Sequence, residues 1–256
     1  MADPAFRPAL LVVDMQEDFC PPESICYARE HGPFQRLING ALAVNEGRDI
    51  VPLINDLLAL PSSTLPLKIA TKDWHPPDHV SFASNHGGDD PPKRPFVDTA
   101  TVTNPHNPAE SYTTRLWPVH CVQSTPGARL VPELDAARLT HTVEKGTDPR
   151  VEMYSAFYDP LTRPRVSDSG LADLLRAHAV THVYVVGLAA DYCVRCTAED
   201  AVREGFVAYV IEEATRAVDP AGWEGCKREM EGAGVRVVAW EGPDVRRLFE
   251  GGQEKG

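Results

Sequence analysis

The stretch from His182 to Asp200 is predicted to form a buried strand, a tight turn and a helix, and it constrains the fold more than any other part of the chain. Its first residues, HVYVV, are apolar and rich in β-branched side chains, as expected of a strand that is covered on both faces. Gly187 ends this strand, and from Val194 onwards the apolar residues recur at helical spacing. A buried strand that leads directly into an amphipathic helix indicates an α/β protein.

Strands and helices alternate along the rest of the chain. Further strands are predicted at 9–13, 67–71, 141–144, 206–212 and 235–240, and helices at 49–60, 127–137, 171–179, 222–232 and 244–249. In the first helix Asp49 is a candidate N-cap, and the inward stripe consists of Ile50, Ile54, Leu57 and Leu58. This alternation predicts right-handed βαβ units, and therefore a doubly wound, six-stranded, mostly parallel sheet with helices on both faces. A chain of 256 residues fits one such domain, spanning 1–256.

Two stretches lack clear periodicity. Residues 20–41 are predicted to be loop with a short helix at most. The longer stretch, 71–125, contains many of the prolines and most of the histidines, and a loop of that length in a compact domain is usually functional. Within it, 87–111 is predicted to be a loop insertion that lies on the surface and is weakly ordered.

Composition excludes several classes of protein. The chain has 37 acidic against 25 basic residues and no basic stripe, so nucleic acid and anionic membranes are not expected partners. The first residues lack the basic and apolar regions of a signal peptide, so none is expected, and no apolar run approaches the ~20 residues that a membrane span needs. Six cysteines without a secretory signal predict reduced thiols and a cytoplasmic location. Neither a Rossmann fingerprint nor a P-loop is present.

Three chemically reactive residues follow three different predicted strands: Asp14, Lys145 and Cys193. The ends of parallel strands meet at one crevice of a doubly wound sheet, so these side chains could form one site. Cys193 is predicted to lie at a helix N-terminus, which would lower the pKa of its thiol. Asp14 would accept the thiol proton, and Lys145 would hold charge. The alternatives are a structural buried cysteine and a turn or N-cap aspartate.

A second group of polar residues suggests a metal site. Asp73 and His75 are two residues apart at a strand exit, so their side chains can point to the same side, and His120 could supply a third ligand. His79 and His86 are weaker candidates. The alternative is that these are ordinary polar surface residues.

Several motifs together resemble one family. They are LLVVDMQEDFC (10–20), TKDWHPPDHVSFASNH (71–86), LWPVHCV (116–122), VEKG (143–146), YSAF (154–157) and VVGLAADYCV (185–194). On these motifs the chain resembles the nicotinamidases of the isochorismatase-like cysteine hydrolase superfamily. The resemblance implies an isochorismatase-like hydrolase fold and an amidohydrolase that converts nicotinamide to nicotinate and ammonia through a cysteine thioester.

The resemblance also implies roles for individual residues. It makes Asp14, Lys145 and Cys193 a catalytic triad, and Asp73, His75 and His120 the ligands of a divalent metal, usually zinc, with iron or manganese as alternatives. His79 would lie in or near the metal shell. The amides of Ala189 and Cys193 would form an oxyanion hole beside a cis Leu188–Ala189 bond. Phe19, Trp117 and Tyr192 would line the pocket for the pyridine ring, although ordinary packing explains such aromatic residues as well.

Three other functions are rivals. Another amidase of the superfamily, acting on a carbamoyl or ureido group, would need the triad but not the metal ligands. Isochorismatase itself, a vinyl-ether hydrolase, would not need Cys193. A non-catalytic binding protein on this fold would need neither set of residues. The expected partner is therefore the small molecule nicotinamide, and assembly into a homo-oligomer is compatible with the sequence.

Overall fold

Six parallel strands and a separate two-stranded hairpin organise the residues that the computed structural model describes, which are 6–20, 42–88 and 91–250. The strands are β1 (Pro8–Val13), β2 (Leu67–Asp73), β3 (Thr99–Asn104), β4 (Asn107–Arg115), β5 (His141–Lys145), β6 (His182–Leu188), β7 (Val207–Arg216) and β8 (Arg236–Val238). The α-helices are α1 (Val51–Ala59), α2 (Leu171–Ala177), α3 (Arg195–Arg203), α4 (Trp223–Gly232) and α5 (Pro243–Glu250). The predicted α/β fold is confirmed.

The order of strands in the large sheet is β5-β2-β1-β6-β7-β8, and every neighbouring pair is parallel. The chain builds outward from β1 to β2 and β5 on one side, and then to β6, β7 and β8 on the other. The order therefore reverses between β1 and β6. In open α/β sheets such a reversal leaves a crevice outside the carboxyl ends of the two strands.

Alternating side chains of β1 pack into two cores on opposite faces of the sheet. Leu10 and Val12 face the core that contains the buried residues of α1 and α5, whereas Leu11 and Val13 face the core formed with α2, α3 and α4. The inward stripe predicted for α1 is confirmed, because Ile50, Ile54, Leu57 and Leu58 are all fully buried. Burying a side chain of this size stabilises the fold by about 1.5–3 kcal/mol, so the two cores fix the strand ends that carry the site.

The close approach of β6 to β1 depends on a glycine. Gly187 has φ +105°, and a Cβ at this position would lie 2.1 Å from the carbonyl oxygen of Val13. A side chain there would push β6 away from β1 at the residue that precedes Asp14. Only glycine allows this backbone conformation and this contact together.

The expectation of a weakly ordered insertion at 87–111 is wrong for its second half. Residues 99–115 form an antiparallel hairpin, in which β3 pairs with β4. Its outer residues are exposed, but Val102 and Thr114 are buried against the domain. The strands contain few large apolar residues, so their period-2 pattern is weak, and polar contacts with other parts of the chain stabilise them instead.

Two local expectations for helices are also wrong. A 3₁₀ turn at Gly47–Ile50 precedes α1 and contains Asp49. The N-cap position of α1 is Ile50 and no side chain caps the helix, so Asp49 is not the N-cap. The predicted helix at 127–137 is replaced by two short 3₁₀ turns, Pro126–Ala128 and Ala136–Arg138. Pro132 lies between them and cannot donate the hydrogen bond that a helix interior requires. The loop predicted at 20–41 lies outside the described residues beyond Cys20.

The five described cysteines are free thiols, as predicted. None of the helices in the described ranges has both the length and the apolar content that a membrane-spanning segment requires.

Candidate active site

The carboxyl ends of four parallel strands bring the predicted reactive residues together. Asp14 directly follows β1, Asp73 and Lys145 end β2 and β5, and Cys193 follows β6 by one turn. Asp73 and Lys145 are register partners in neighbouring strands, which places their side chains on the same side of the sheet. All four side chains are buried. The site therefore lies at the crevice where the strand order reverses.

The ammonium of Lys145 contacts three potential reactants. Its Nζ lies 3.0 Å from Oδ2 of Asp14, 2.5 Å from Oδ1 of Asp73 and 3.3 Å from Sγ of Cys193. The other oxygen of Asp14 accepts a 2.6 Å hydrogen bond from the Thr71 hydroxyl. Because a buried charge is tolerated only when it is paired, these contacts fix the relative positions of the two carboxylates and the thiol.

The buried charges alter the protonation of these groups. Burial tends to lower the pKa of Lys145, but the negative charges of Asp14 and Asp73 outweigh it and raise the pKa well above its usual value. Burial tends to raise the pKa of Asp73, but Lys145 and then His75 outweigh it and hold that pKa well below its usual range. Burial, only partly offset by Lys145, raises the pKa of Asp14. Lys145 and Asp73 are therefore charged, and Asp14 is the better proton acceptor of the two carboxylates.

The expected lowering of the Cys193 pKa is wrong for the resting site. Burial raises the pKa of this thiol well above its usual value; Lys145 opposes that effect, and the charge of Asp14 adds to it. Cys193 does lie next to the N-terminus of α3, within a π-helical turn, Ala190–Val194, that leads directly into this helix. Burial nevertheless outweighs the stabilisation that this position would give a thiolate. Cys193 is therefore a thiol beside a carboxylate, rather than a preformed thiolate.

The predicted cis peptide bond between Leu188 and Ala189 is confirmed. It joins the end of β6 to the π-helical turn, and the carbonyl of Ala189 accepts hydrogen bonds from the amides of Tyr192 and Val194. Ala189 and Cys193 both line the same cavity.

Asp73, His75 and His120 form a buried cluster whose ligand atoms all lie within 4.8 Å of one another. Oδ2 of Asp73 is 3.5 Å from Nε2 of His75 and 3.8 Å from Nε2 of His120. In both histidines Nδ1 lies within hydrogen-bond distance of a backbone carbonyl, that of Gly146 for His75 and that of Pro118 for His120. These bonds leave the Nε2 lone pairs directed at Asp73, as in many metal sites.

Nε2 of His75 is buried and has no hydrogen-bond partner among the described residues, which fits a ligand atom for a cation. Burial, and next the charge of His75, lowers the pKa of His120 to about 4, so His120 is neutral and able to ligate at pH 7. One carboxylate and two imidazoles suit zinc, iron or manganese. The three residues predicted as ligands thus fit a divalent metal.

His79 does not share this geometry. Its ring stacks on that of His75 at 4.0 Å, but Nδ1 is 2.8 Å from the Ser81 hydroxyl and Nε2 is 3.1 Å from the carbonyl of Val151. Both ring nitrogens of His79 have hydrogen-bond partners, so His79 packs against the ring of His75 and is not available as a direct metal ligand. His86 likewise contacts a carbonyl, that of Val80, at 2.8 Å.

A small cavity adjoins both groups of residues. Cys193, Asp73 and His120 contribute to its polar side. Its apolar wall includes all three aromatic residues predicted for the pocket, which are Phe19, Trp117 and Tyr192. The Trp117 and Tyr192 rings meet edge to face with centroids 4.9 Å apart. The cavity therefore places an apolar, aromatic wall next to the thiol.

Sequence reasoning missed several residues of the site. Glu152 and Tyr154 line the cavity. Gln16 bonds both backbone groups of Asp73 at 2.8 Å, and Asp18 accepts a 2.7 Å bond from the Cys121 amide beside His120. The two-residue spacing of Glu152 and Tyr154 just beyond Lys145 was an available signal, since alternate residues of an extended segment face the same side.

Comparison with known proteins identifies the family. The model of the Isochorismatase domain matches residues 8–242 of the chain. The chain belongs to this family. A nicotinamidase of Acinetobacter baylyi is 36% identical over 232 residues, which cover 90% of this chain and 92% of the relative.

Two solved structures in the same family are also similar. The yeast nicotinamidase bound to the inhibitor nicotinaldehyde aligns with a TM-score of 0.77 at 32% identity, over 91% of this chain and 100% of that one. A pyrazinamidase of Pyrococcus horikoshii in complex with zinc aligns with a TM-score of 0.63 at 33% identity, over 91% of this chain and 98% of that one. These similarities confirm the resemblance to nicotinamidases that the sequence motifs indicated.

Proposed function

We propose that this member of the isochorismatase family is a nicotinamidase, an amidohydrolase that converts nicotinamide and water to nicotinate and ammonia. One observation carries the proposal: the Lys145 ammonium holds Asp14 and Cys193 within 3.3 Å of its Nζ, at the edge of a cavity walled by aromatic rings. Nicotinamidase relatives that cover about nine-tenths of the chain support the choice of substrate.

The first half of the reaction uses Asp14 as a base and Cys193 as a nucleophile. The thiol proton passes to Asp14 while the sulfur attacks the carboxamide carbon. The backbone amides of Ala189 and Cys193 stabilise the oxyanion that develops, which is typically the largest electrostatic contribution in acyl transfer. Asp14 then gives the proton to the leaving nitrogen, ammonia departs, and a thioester with Cys193 remains.

The second half reverses these roles with water as the nucleophile. Asp14 takes a proton from water, and the hydroxide attacks the thioester carbon. The carbon–sulfur bond breaks, the proton returns to the sulfur, and nicotinate is released. Throughout both halves Lys145 stays charged, because its contacts with Asp14 and Asp73 hold its pKa well above the usual value.

In this proposal Asp73, His75 and His120 hold a divalent metal, with zinc as the first candidate and iron or manganese as alternatives. A pyrazinamidase relative in complex with zinc supports this choice. When bound, such an ion supplies a Lewis-acid site for a nitrogen or oxygen donor of the substrate. His79 stays outside the ligand set, because both of its ring nitrogens are engaged.

Phe19, Trp117 and Tyr192 are proposed to bind the pyridine ring. Aromatic rings that meet edge to face form a stiff apolar wall, and such contacts contribute about 0.5–1.5 kcal/mol beyond the area that they bury. The wall selects a flat ring over a flexible ureido chain. We also propose that residues 1–256 form a single hydrolase domain that acts in the cytoplasm, where the free thiols of the five described cysteines would stay reduced.

The test is an ammonia-release assay with nicotinamide on purified protein supplied with zinc or manganese, alongside a carbamoyl substrate and a ureido substrate. Nicotinamide should be hydrolysed with the highest kcat/KM, and mass spectrometry should detect a nicotinoyl adduct on Cys193. Turnover of the ureido substrate without turnover of nicotinamide would show that the proposed substrate is wrong. Cys196→Ala, three residues further along the chain and within α3, is the matched control for thiol replacement.

A further inference from the structure

The hairpin strand β4 contacts the wall of the cavity through one of its two faces. Tyr112 and Thr114 are two residues apart and therefore project to the same side of β4. Both point at the segment that carries Glu152 and Tyr154, which are themselves two residues apart and both line the cavity. Two pairs of alternate residues thus meet across the junction between the hairpin and the site.

The first contact across this junction is a chain of hydrogen bonds between side chains. Trp117 donates its indole N–H to the hydroxyl of Tyr154 at 2.8 Å, and this hydroxyl shares a 3.1 Å hydrogen bond with Thr114. Either oxygen of the second bond can be the donor. Tyr154 also packs on Tyr192, with ring centroids 5.4 Å apart. The Thr114 hydroxyl therefore lies at the outer end of a chain that orients two aromatic walls of the cavity.

The second contact across this junction joins a side chain of β4 to the backbone of the cavity segment. The hydroxyl of Tyr112 donates to the carbonyl of Glu152 at 3.0 Å and accepts from the amide of the same residue at 2.6 Å. Both backbone groups of Glu152 are thus satisfied by one side chain of the hairpin. Because an unsatisfied buried backbone group is costly, this pair of hydrogen bonds fixes the position of the segment that supplies Glu152 and Tyr154.

The far end of the hairpin is anchored separately. The carboxylate of Glu110 accepts hydrogen bonds from the amides of Thr162 and Arg163 at 2.9 and 3.0 Å. Asn104 adds a 2.8 Å bond to the carbonyl of Pro164. The hairpin is held at its tip and along β4, so it can act as a rigid support rather than as a free surface loop.

We propose that β4 positions the substrate pocket: Tyr112 and Thr114 are positioning residues that hold Glu152 and Tyr154, and through Tyr154 the ring of Trp117. This inference rests on the proposed function, because the ligand that it concerns is the pyridine ring of nicotinamide or nicotinate. Neither Tyr112 nor Thr114 lines the cavity, so each acts through a neighbour. Loss of either contact should loosen ring binding in the ground state and the transition state equally.

The test compares two neighbouring threonines of β4. Thr114 is buried and bonded to Tyr154, whereas Thr113 is exposed on the opposite face of the strand. Thr114→Val keeps the shape of the side chain but removes the hydroxyl. We expect KM for nicotinamide to rise about three- to tenfold, the usual consequence of losing one hydrogen bond, with kcat within about twofold of the unaltered enzyme. Thr113→Val should leave both constants unchanged.

Two further measurements separate positioning from general destabilisation. Thr114→Ser retains the hydroxyl and should restore KM, and Tyr112→Phe should raise KM by at least as much as Thr114→Val. The dissociation constant of nicotinate, measured by calorimetry, should rise in step with KM, while the far-ultraviolet circular dichroism spectrum stays unchanged. An unaltered KM in Thr114→Val, or failure of Thr114→Ser to restore it, overturns this inference. Absence of nicotinamide turnover by the unaltered protein would instead overturn the proposed function.

Discussion

Replacing Gly146 with alanine should weaken metal binding through the orientation of His75. Gly146 follows β5 with φ +65°, a conformation that favours glycine. Its carbonyl lies 2.9 Å from Nδ1 of His75. A Cβ at this position would lie 2.4 Å from Cε1 and 2.6 Å from Nδ1 of the same ring. The substitution therefore acts on the residue that orients a proposed ligand, without altering any ligand itself.

The magnitude has two parts. Holding alanine in the left-handed conformation costs about 1–2 kcal/mol of stability, whatever surrounds it. Ordinary van der Waals contact begins at 3.4 Å, so the imidazole of His75 must also retreat by about 1 Å. Disturbing a partner that orients a metal ligand typically lowers metal affinity 10- to 100-fold, or about 1.4–2.7 kcal/mol. The metal affinity should reflect only the displacement of His75, because the backbone cost affects stability alone.

Gly170→Ala is the matched control, because Gly170 has φ +75° and an added Cβ would meet nothing within 4 Å. Both variants place alanine in the left-handed conformation, so chemical denaturation should show a similar loss of stability in each from this cause. Zinc affinity, measured by competition with a chromophoric chelator, should fall only in Gly146→Ala. Equal zinc affinities in the two variants would refute the proposed role of His75 and of the Gly146 carbonyl.

The other predictions concern the nucleophile, the metal and acid stability. Cys193→Ala should keep its circular dichroism and lose at least about 10³-fold in kcat for ammonia release, whereas Cys196→Ala should stay active; retained turnover in the first would exclude a thioester. His120→Ala should lose bound metal by elemental analysis, and an unchanged content would remove His120 from the ligand set. The hydrogen bond from Asn104, helped by the backbone amide of Thr162, lowers the pKa of Glu110 from 4.5 to about 2. Its stabilisation is thus present above pH 4.5 and lost as the pH falls toward 2, and urea unfolding of Glu110→Gln should lack this part of the acid dependence.

Strand ends were the part of the site that sequence reasoning predicted best. Asp14, Lys145 and Cys193 are far apart in the chain, but each follows a predicted strand. Parallel strands in a doubly wound sheet place such positions along one edge, so convergence follows from the fold class alone. Sequence reasoning proposed His120 as a third ligand beside the DWH motif but left His79 and His86 as weaker candidates, and the family resemblance then favoured His120.

The supporting residues were less predictable because their partners are remote and polar. Tyr112 and Thr114 lie just beyond the predicted insertion, 87–111, in a stretch without clear periodicity, yet their hydroxyls bond residues 40 positions away. Hydrogen bonds of this kind leave no periodic signal in a sequence, unlike the burial of apolar faces. The same reason explains why the roles of Gln16 and Asp18, inside a recognised motif, became apparent only from their contacts with Asp73 and Cys121.

The protonation state of Cys193 shows why a local rule about helix termini failed. A helix terminus stabilises a thiolate, but this thiol is buried beside two carboxylates, and ionising it alone would add a second net negative charge to a group that Lys145 already only partly neutralises. Transfer of the thiol proton to Asp14 leaves the total charge unchanged. Burial raises the pKa of Asp14, which makes that transfer easier. In the proposed reaction the thiolate is therefore best generated during attack, when the developing charge moves from sulfur to the substrate oxygen and the proton is already on Asp14, which would deliver it to the leaving nitrogen.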